Sequence, residues 1–419
     1  MTVALFTRRR SKAFAWRFLQ LASSNGRIGV VMPRSCLSAA GSALWREALF
    51  DSGSALDVTM LQNTSGWVFP SVHPQDRFAL VAIRISGGSD PQVVLSGPFD
   101  SLASFEVSSE RASFPTADVR TWTAGAALPW LPHRNSIHTF EKLRESRSLS
   151  SWEHDSRFRP VQGDLNATTH AAAFDPSGNW PVYKGASFNL WAPDTGVYFA
   201  RIEETKAIST LQQRRLRQHR NARSAFSEFP DCVVQDAGSL PCLSPRIAFS
   251  DITNQSNTRT LIVALVPPRI VLTHKAPYLL RTRGDEKTEA YLLGVLSSIP
   301  LDWYARRFTE KTMTFEIVNG LPIPQAPSED SRRLRIVAIA GRLAAKDARY
   351  TAWAEAVGVE IGSVSADEQW ELESELDALV SALYRLNEGE VRHIYETFHT
   401  GWDYQARLDR VLAHFRDLT

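Results

Sequence analysis

Residues 26–33 read Gly26-Arg27-Ile28-Gly29-Val30-Val31-Met32-Pro33. An apolar run bounded by glycine and proline predicts a buried strand. Upstream, Phe14, Phe18 and Leu21 lie three and four apart and predict a helix over 11–22, which Asn25-Gly26 stops. Downstream, the pattern predicts a helix over 41–50, a strand over 56–62 and an alternating strand over 77–85. An α-β-α-β order followed by a return strand is half of a three-layer α/β sheet. Three strands are fewer than a doubly wound sheet needs. The expected fold class is therefore α/β, a partial, C-terminal half of a Rossmann-like sheet. Half a sheet leaves strand 27–32 with an unpaired apolar edge, which is costly and sticky. Either another polypeptide covers that edge or the gene is a fragment.

The 419 residues, 43% hydrophobic and 22% charged, have the composition of an ordinary globular protein with room for two to three domains. Three cysteines, Cys36, Cys232 and Cys242, are too few for a disulfide scaffold and too scattered for a zinc ribbon. The longest apolar runs, such as 261–268, are too short to span a bilayer. With no secretory-type leader, the expected compartment is the cytoplasm. From Ala366 onward there are twelve acids and five bases, net −7. The whole chain is +2, so the rest carries +9. Such a local surplus suits a phosphate backbone.

Residues 86–175 are rich in Ser, Gly, Pro and Ala and read as short strands and loops, or a partly ordered linker. A polar, basic helix is predicted over 203–226, two or three strands over 246–280, and helices over 286–299, 301–309, 329–350 and 366–418.

Several catalytic signatures are absent. The sequence has no Gly-x-Gly-x-x-Gly, no phosphate loop, no Gly-x-Ser-x-Gly elbow, no His-Glu-x-x-His and no Asn-Pro-Pro-aromatic tetrapeptide. What remains points to nucleic acid. In Gly66-Trp67-Val68-Phe69-Pro70, an aromatic before proline sits at the rim of the sheet. There it either stacks on a planar base or anchors a hairpin. Residues 211–223 hold Arg214, Arg215, Arg217, Arg220 and Arg223 and no acid. On a helix Arg214, Arg217 and Arg220 form one cationic stripe, either a phosphate contact or a solvated face. Trp180-Pro181-Val182-Tyr183-Lys184-Gly185 reads as a loop approaching a backbone through Lys184, or as a strand entry with a packed tryptophan. Between Arg246 and Arg259, the side chains of Asp251, Asn254, Gln255, Asn257 and Arg259 suit base-edge contacts or an Asx-rich turn. No metal site is expected.

Taken in order, these segments resemble the C-terminal portion of large adenine-specific DNA methyltransferases of type IIG restriction-modification and related phage-defence systems. Residues 26–35 resemble the family's strand after its catalytic motif, and Gln62-Asn63 through Pro70 its base-stacking motif. Residues 246–254 and 257–260 resemble its target-recognition region, as do 291–298, 302–304 and 321–324. Residues 375–380 and 383–386 resemble its closing helical segment. The order of the motifs is specific; each alone is weak.

The resemblance implies methyl transfer from S-adenosylmethionine to the amino group of a flipped adenine, with Phe69 stacking on that base. Double-stranded DNA would be the partner, contacted by Lys184, Arg214, Arg215, Arg217, Arg220, Arg223, Arg246, Asn257 and Arg259. It implies four segments: 1–90, the C-terminal part of a catalytic domain; 91–178, a linker or irregular region; 179–327, an α+β target-recognition domain; 328–419, a helical segment. The family's Asn-Pro-Pro-aromatic and cofactor loops are missing from this sequence and are expected to belong before residue 1. Without them no S-adenosylmethionine binding and no transfer are expected of this chain alone. A separate catalytic half covering 27–32 would complete the enzyme. The alternatives are a non-catalytic specificity subunit and a degenerate fragment.

Overall fold

The computed structural model describes residues 3–74, 76–85, 88–107, 111–123, 125–131, 134–152, 156–253, 257–399 and 401–418. The chain divides into two compact units, Met1–Glu141 and Lys142–Thr419.

The first unit is built on a sheet of β1 (Arg27–Pro33), β2 (Ala55–Gln62), β3 (Arg77–Arg84), β4 (Gln92–Phe99) and β5 (Arg111–Pro115), in the order β1-β3-β2-β4-β5. β3 lies antiparallel between β1 and β2, which therefore run parallel to each other. β2 and β4 are parallel, and β4 and β5 antiparallel. The sheet is thus a mixed one of five strands, two more than the sequence pattern picks out. Inserting the return strand between two parallel strands converts both of their pairings to antiparallel ladders. Along β3, Ala79, Val81 and Ile83 are buried, while Leu80 is 36% exposed. One face is therefore packed and the other open, as antiparallel sheets allow. Trp45, Leu49 and Phe50 of the helix Ala43–Asp51 are buried, as are Leu56, Val58 and Met60 of β2. β1 is an edge strand whose described neighbour is β3, with Val31 half exposed.

The second unit holds two sheets. One runs β10-β9-β12-β6, built from β6 (Arg157–Val161), β9 (Arg246–Phe249), β10 (Val263–Val266) and β12 (Tyr278–Arg283), antiparallel throughout. The other runs β11-β7-β8, from β7 (Trp180–Tyr183), β8 (Ala200–Ile202) and β11 (Val271–Leu272). β11 is parallel to β7, and β8 antiparallel to it. Residues 91–178, read as a linker or irregular region, thus supply β4 and β5 to the first unit and β6 to the second.

Eight α-helices follow among the described residues, from Glu286–Ser297 to Gln405–Leu418. Residues 366–418 resolve into Ala366–Leu383, Glu388–Glu396 and Gln405–Leu418. Buried Asp377 joins them. It accepts from the Ile299 backbone N–H at 2.8 Å, the Tyr395 hydroxyl at 2.8 Å and the Arg407 guanidinium at 2.7 Å. A buried carboxylate is tolerated when it is paired and hydrogen-bonded in this way. Gly294 permits the crossing of Glu286–Ser297 on Ser331–Ala344, because a Cβ there would lie 2.7 Å from Ile336 Cγ2.

Candidate nucleic-acid interface

In the first unit the loop after β2 is pinned by one side chain. Asn63, fully buried, donates from Nδ2 to the Phe69 and Val72 carbonyls, both at 3.0 Å. Its Oδ1 accepts the N–H of Val68 at 3.1 Å and of Phe69 at 2.9 Å. The Phe69 ring is half-buried and packs edge-on to Phe78 of β3, 4.8 Å between centroids. Trp67 Nε1 donates to the Gln62 carbonyl at 2.7 Å. Both aromatics therefore help anchor the turn.

The same rim bears on the cofactor. After β1 the chain continues through Arg34, buried with its guanidinium 4.6 Å above the Trp130 ring. The β2 turn is filled by Asn63. Neither is a glycine-rich turn with backbone N–H groups open to a ligand. Neither of these two turns offers S-adenosylmethionine a backbone cradle.

The second unit brings the basic residues together. The helix Glu204–His219 starts at Glu203, whose carboxylate caps the Lys206 N–H at 2.9 Å. Ala207, Leu211 and Arg215, four apart, form its buried face. Arg215 is 3% exposed and donates to Ser239 Oγ, Gln212 Oε1 and the Asp236 carbonyl at 2.6–2.9 Å. Burial lowers its pKa from the ordinary arginine value. Arg217, Arg220 and Arg223 are exposed, and their guanidiniums have no ion pair or hydrogen bond among the described residues. At the end of the helix His219 offers both ring nitrogens to acceptors. Nδ1 lies 2.9 Å from the Phe226 carbonyl and Nε2 2.7 Å from Asp231 Oδ1. The carbonyl first, then the carboxylate, raises the pKa of His219, favouring a further cation where the helix dipole welcomes one.

Beside this helix lies a cleft of about 430 Å³. It is lined by Arg214, Arg217 and Gln218 of that helix, by His170 and His274, and by Gln162, Gly163, Leu165 and Asn166 of the segment before them. None of the described residues lining it is acidic. That segment is fixed by a close backbone approach. Leu165 pairs with Thr273 in a parallel bridge, and its N–H donates to the Leu272 carbonyl at 3.0 Å. Only glycine fits at 163, where a Cβ would meet the Thr273 carbonyl oxygen at 2.1 Å. Arg214 Nη1 donates to the Asp164 carbonyl oxygen. The Asp164 carboxylate points away to Arg246 Nη2 at 2.5 Å and the Leu272 N–H at 2.8 Å.

The remaining sequence candidates separate by burial. Arg246 is 3% exposed and also donates to the Pro241 and Ile270 carbonyls. Arg259 pairs with fully buried Asp302 at 2.8 Å and donates to the Ser297 carbonyl at 2.5 Å. Asp302 also accepts the Thr260 and Leu261 N–H groups. Arg215, Arg246 and Arg259 thus hold the interior, and a groove contact by Arg246 or Arg259 would leave buried Asp164 or Asp302 unpaired. Asn257 is half-buried, with Nδ2 3.4 Å from Thr253 Oγ1. Lys184 follows β7, half-buried, beyond packed Trp180. Asn254 and Gln255 lie outside the described residues. His170, His274 and Asn166 escaped sequence reasoning because strand pairing joins segments some hundred residues apart. Their local trace was Gly163 alone.

Cys242 is buried, which pushes its thiol up to about 12, far from a nucleophilic thiolate. No cluster of metal-ligating side chains, and no helix long and apolar enough to cross a membrane, occurs among the described residues.

No family model matches the chain, and no curated protein matches it. Among solved structures it is similar to the type IIL restriction-modification enzyme MmeI in complex with DNA. That match has 10% identity and a TM-score of 0.44, over 97% of this chain and 51% of that one. It is similar also to the type IIG restriction endonuclease BpuSI, with 15% identity and a TM-score of 0.34, over 97% of this chain and 49% of that one. The chain spans about half the length of both.

Proposed function

We propose that this chain binds duplex DNA as the target-recognition part of a site-specific adenine methyltransferase of restriction-modification type. The observation that carries the DNA reading is the basic, acid-free stretch 211–223, at the C-terminal end of the helix Glu204–His219 and just beyond it. Arg217, Arg220 and the adjoining Arg223 extend into solvent, with Arg214 opening onto the cleft beside them. Exposed surface arginines are normally balanced by carboxylates. Here Asp164 is already paired with Arg246, and Asp231 lies against His219. A surface of this kind gains from releasing the counterions of a polyphosphate backbone.

The methyltransferase part of the reading rests on the order of sequence motifs. In it Phe69 supplies the stacking face for an extrahelical adenine, and the open edge of β1 receives a separate catalytic half. The Asn-Pro-Pro-aromatic loop that would aim the adenine amino group is not in these 419 residues. Transfer then calls for that loop from outside these residues.

The test is methyl transfer from labelled S-adenosylmethionine to mixed-sequence duplex DNA. The chain is assayed alone and with the product of the neighbouring upstream reading frame. Transfer only in the mixture supports the reading. Transfer by the chain alone, or duplex binding with no transfer in either arm, would replace it with a complete enzyme or a non-catalytic specificity subunit.

A further inference from the structure

The cleft has a chemistry of its own. His170 Nδ1 accepts the Asn166 backbone N–H at 3.1 Å, and His274 Nδ1 accepts the Ala167 N–H at 3.3 Å. An imidazole nitrogen that accepts carries no proton, so in each ring the proton resides on Nε2. Both rings are therefore donors while neutral. Asn166 Oδ1 is likewise occupied, by the Thr168 and Thr169 N–H groups at 2.9 and 3.0 Å, which leaves its amide N–H group as the free function. Arg214 is oriented by the Asp164 carbonyl, and Arg217 has no partner among the described residues. The two imidazole Nδ1 atoms and Asn166 Oδ1 are thus satisfied within the fold, and the histidine and Asn166 donors remain beside two guanidiniums. A cleft with two guanidiniums and no carboxylate in its lining suits an anion with several acceptor oxygens. Its volume of about 430 Å³ exceeds what one tetrahedral anion fills and leaves room for an attached sugar.

We propose that this cleft is a phosphate-binding site, and that the phosphate it takes is a phosphodiester of the DNA backbone. The second clause rests on the DNA reading; the first stands without it. The site would fix the position of one nucleotide relative to the helix Glu204–His219, while the exposed arginines along that helix add charge without fixing position.

The test uses two probes on the full chain. Inorganic phosphate is titrated against chloride at constant ionic strength, and thermal stabilisation is read. A fluorescently labelled mixed-sequence duplex is titrated by anisotropy. The variants are Arg217→Gln, at an exposed position, and His274→Asn, which keeps a short acceptor for the Ala167 N–H but removes the Nε2 donor. Lys287→Gln, exposed and outside the cleft, is the control. The expected result is that phosphate stabilises the wild type and Lys287→Gln. Each cleft variant should weaken phosphate and duplex by about tenfold. Weakened phosphate with unchanged duplex affinity would overturn the backbone assignment and leave a site for free phosphate or a phosphomonoester. Unchanged affinity for both probes, in variants that melt as the wild type does without ligand, would overturn the site while leaving DNA binding intact. Phosphate binding by a wild type that ignores the duplex would sink the DNA reading and its backbone assignment, but not the phosphate site.

Discussion

Arg246 Nη2 lies 2.5 Å from Asp164 Oδ2, and the two side chains are only 4% and 5% exposed. The pair ties β9 to the segment that lines the cleft, and Asp164 fastens β11 through the Leu272 N–H. A buried pair of this kind is weak evidence of net stabilisation, but removing one partner strands the other charge. Arg246→Met should therefore destabilise the second unit by about 3–5 kcal/mol in urea unfolding, and Asp164→Asn in the same background should recover part of that loss. Arg259→Met should behave alike, since it strands Asp302. A normal unfolding midpoint with altered base preference would place these arginines in a DNA groove instead.

Gly163→Ala addresses that segment directly. The new methyl would sit 2.1 Å from the Thr273 carbonyl oxygen, a backbone atom with nowhere to go. The β6–β7 connection should separate from β11, lowering stability by about 1–3 kcal/mol as an overpacked site does. Phosphate and duplex binding should weaken in step, because His274 follows Thr273. Full stability and full binding in Gly163→Ala would contradict the packing.

Glu289 makes a pH prediction. It is buried, and that burial raises its carboxyl to about 7, opposed by Arg281 and by the Trp353 Nε1–H at 3.0 Å. The folded state therefore holds this proton more tightly than the unfolded chain, whose glutamate has the ordinary value of 4.5. Its contribution is complete below pH 4.5 and is lost as pH rises to about 7. The loss is at most roughly 3 kcal/mol. Glu289→Gln keeps the Trp353 hydrogen bond and should remove that decline, leaving the variant more stable than the wild type at pH 8. Equal stability of the two proteins at pH 5 and pH 8 would show that Glu289 ionises as freely folded as unfolded.

How much of this was legible in the sequence depends on how local the signal is. β1, β2 and β3 follow from apolar runs and alternation. β4 was obscured by Gly97 and Pro98 inside it, residues that normally end a strand. β5 and β6 are five residues each, too short for a period to stand out. The arginine run in 211–223 could be read as basic but was not sorted. Arg215 follows Ala207 and Leu211 at four-residue spacing and so inherits the buried face, whereas Arg217 does not. That distinction is present in the periodicity. The cleft is not, because β11 meets β7 and Leu165 meets Thr273 across long sequence separations. Asp164, unremarkable in the sequence, becomes the group that neutralises Arg246 and leaves the cleft without an acid.

The central claim is that the second unit holds duplex DNA by the phosphate contacts of the helix Glu204–His219 and its C-terminal turn. The most direct test is the slope of log Kobs against log salt concentration for a mixed-sequence duplex. The wild type is compared with a variant carrying Arg217→Gln, Arg220→Gln and Arg223→Gln. The slope should be negative in the wild type and flatter by roughly 2–3 in the variant, as loss of three phosphate contacts requires. Identical slopes, or a wild type whose affinity is indifferent to salt, would contradict it.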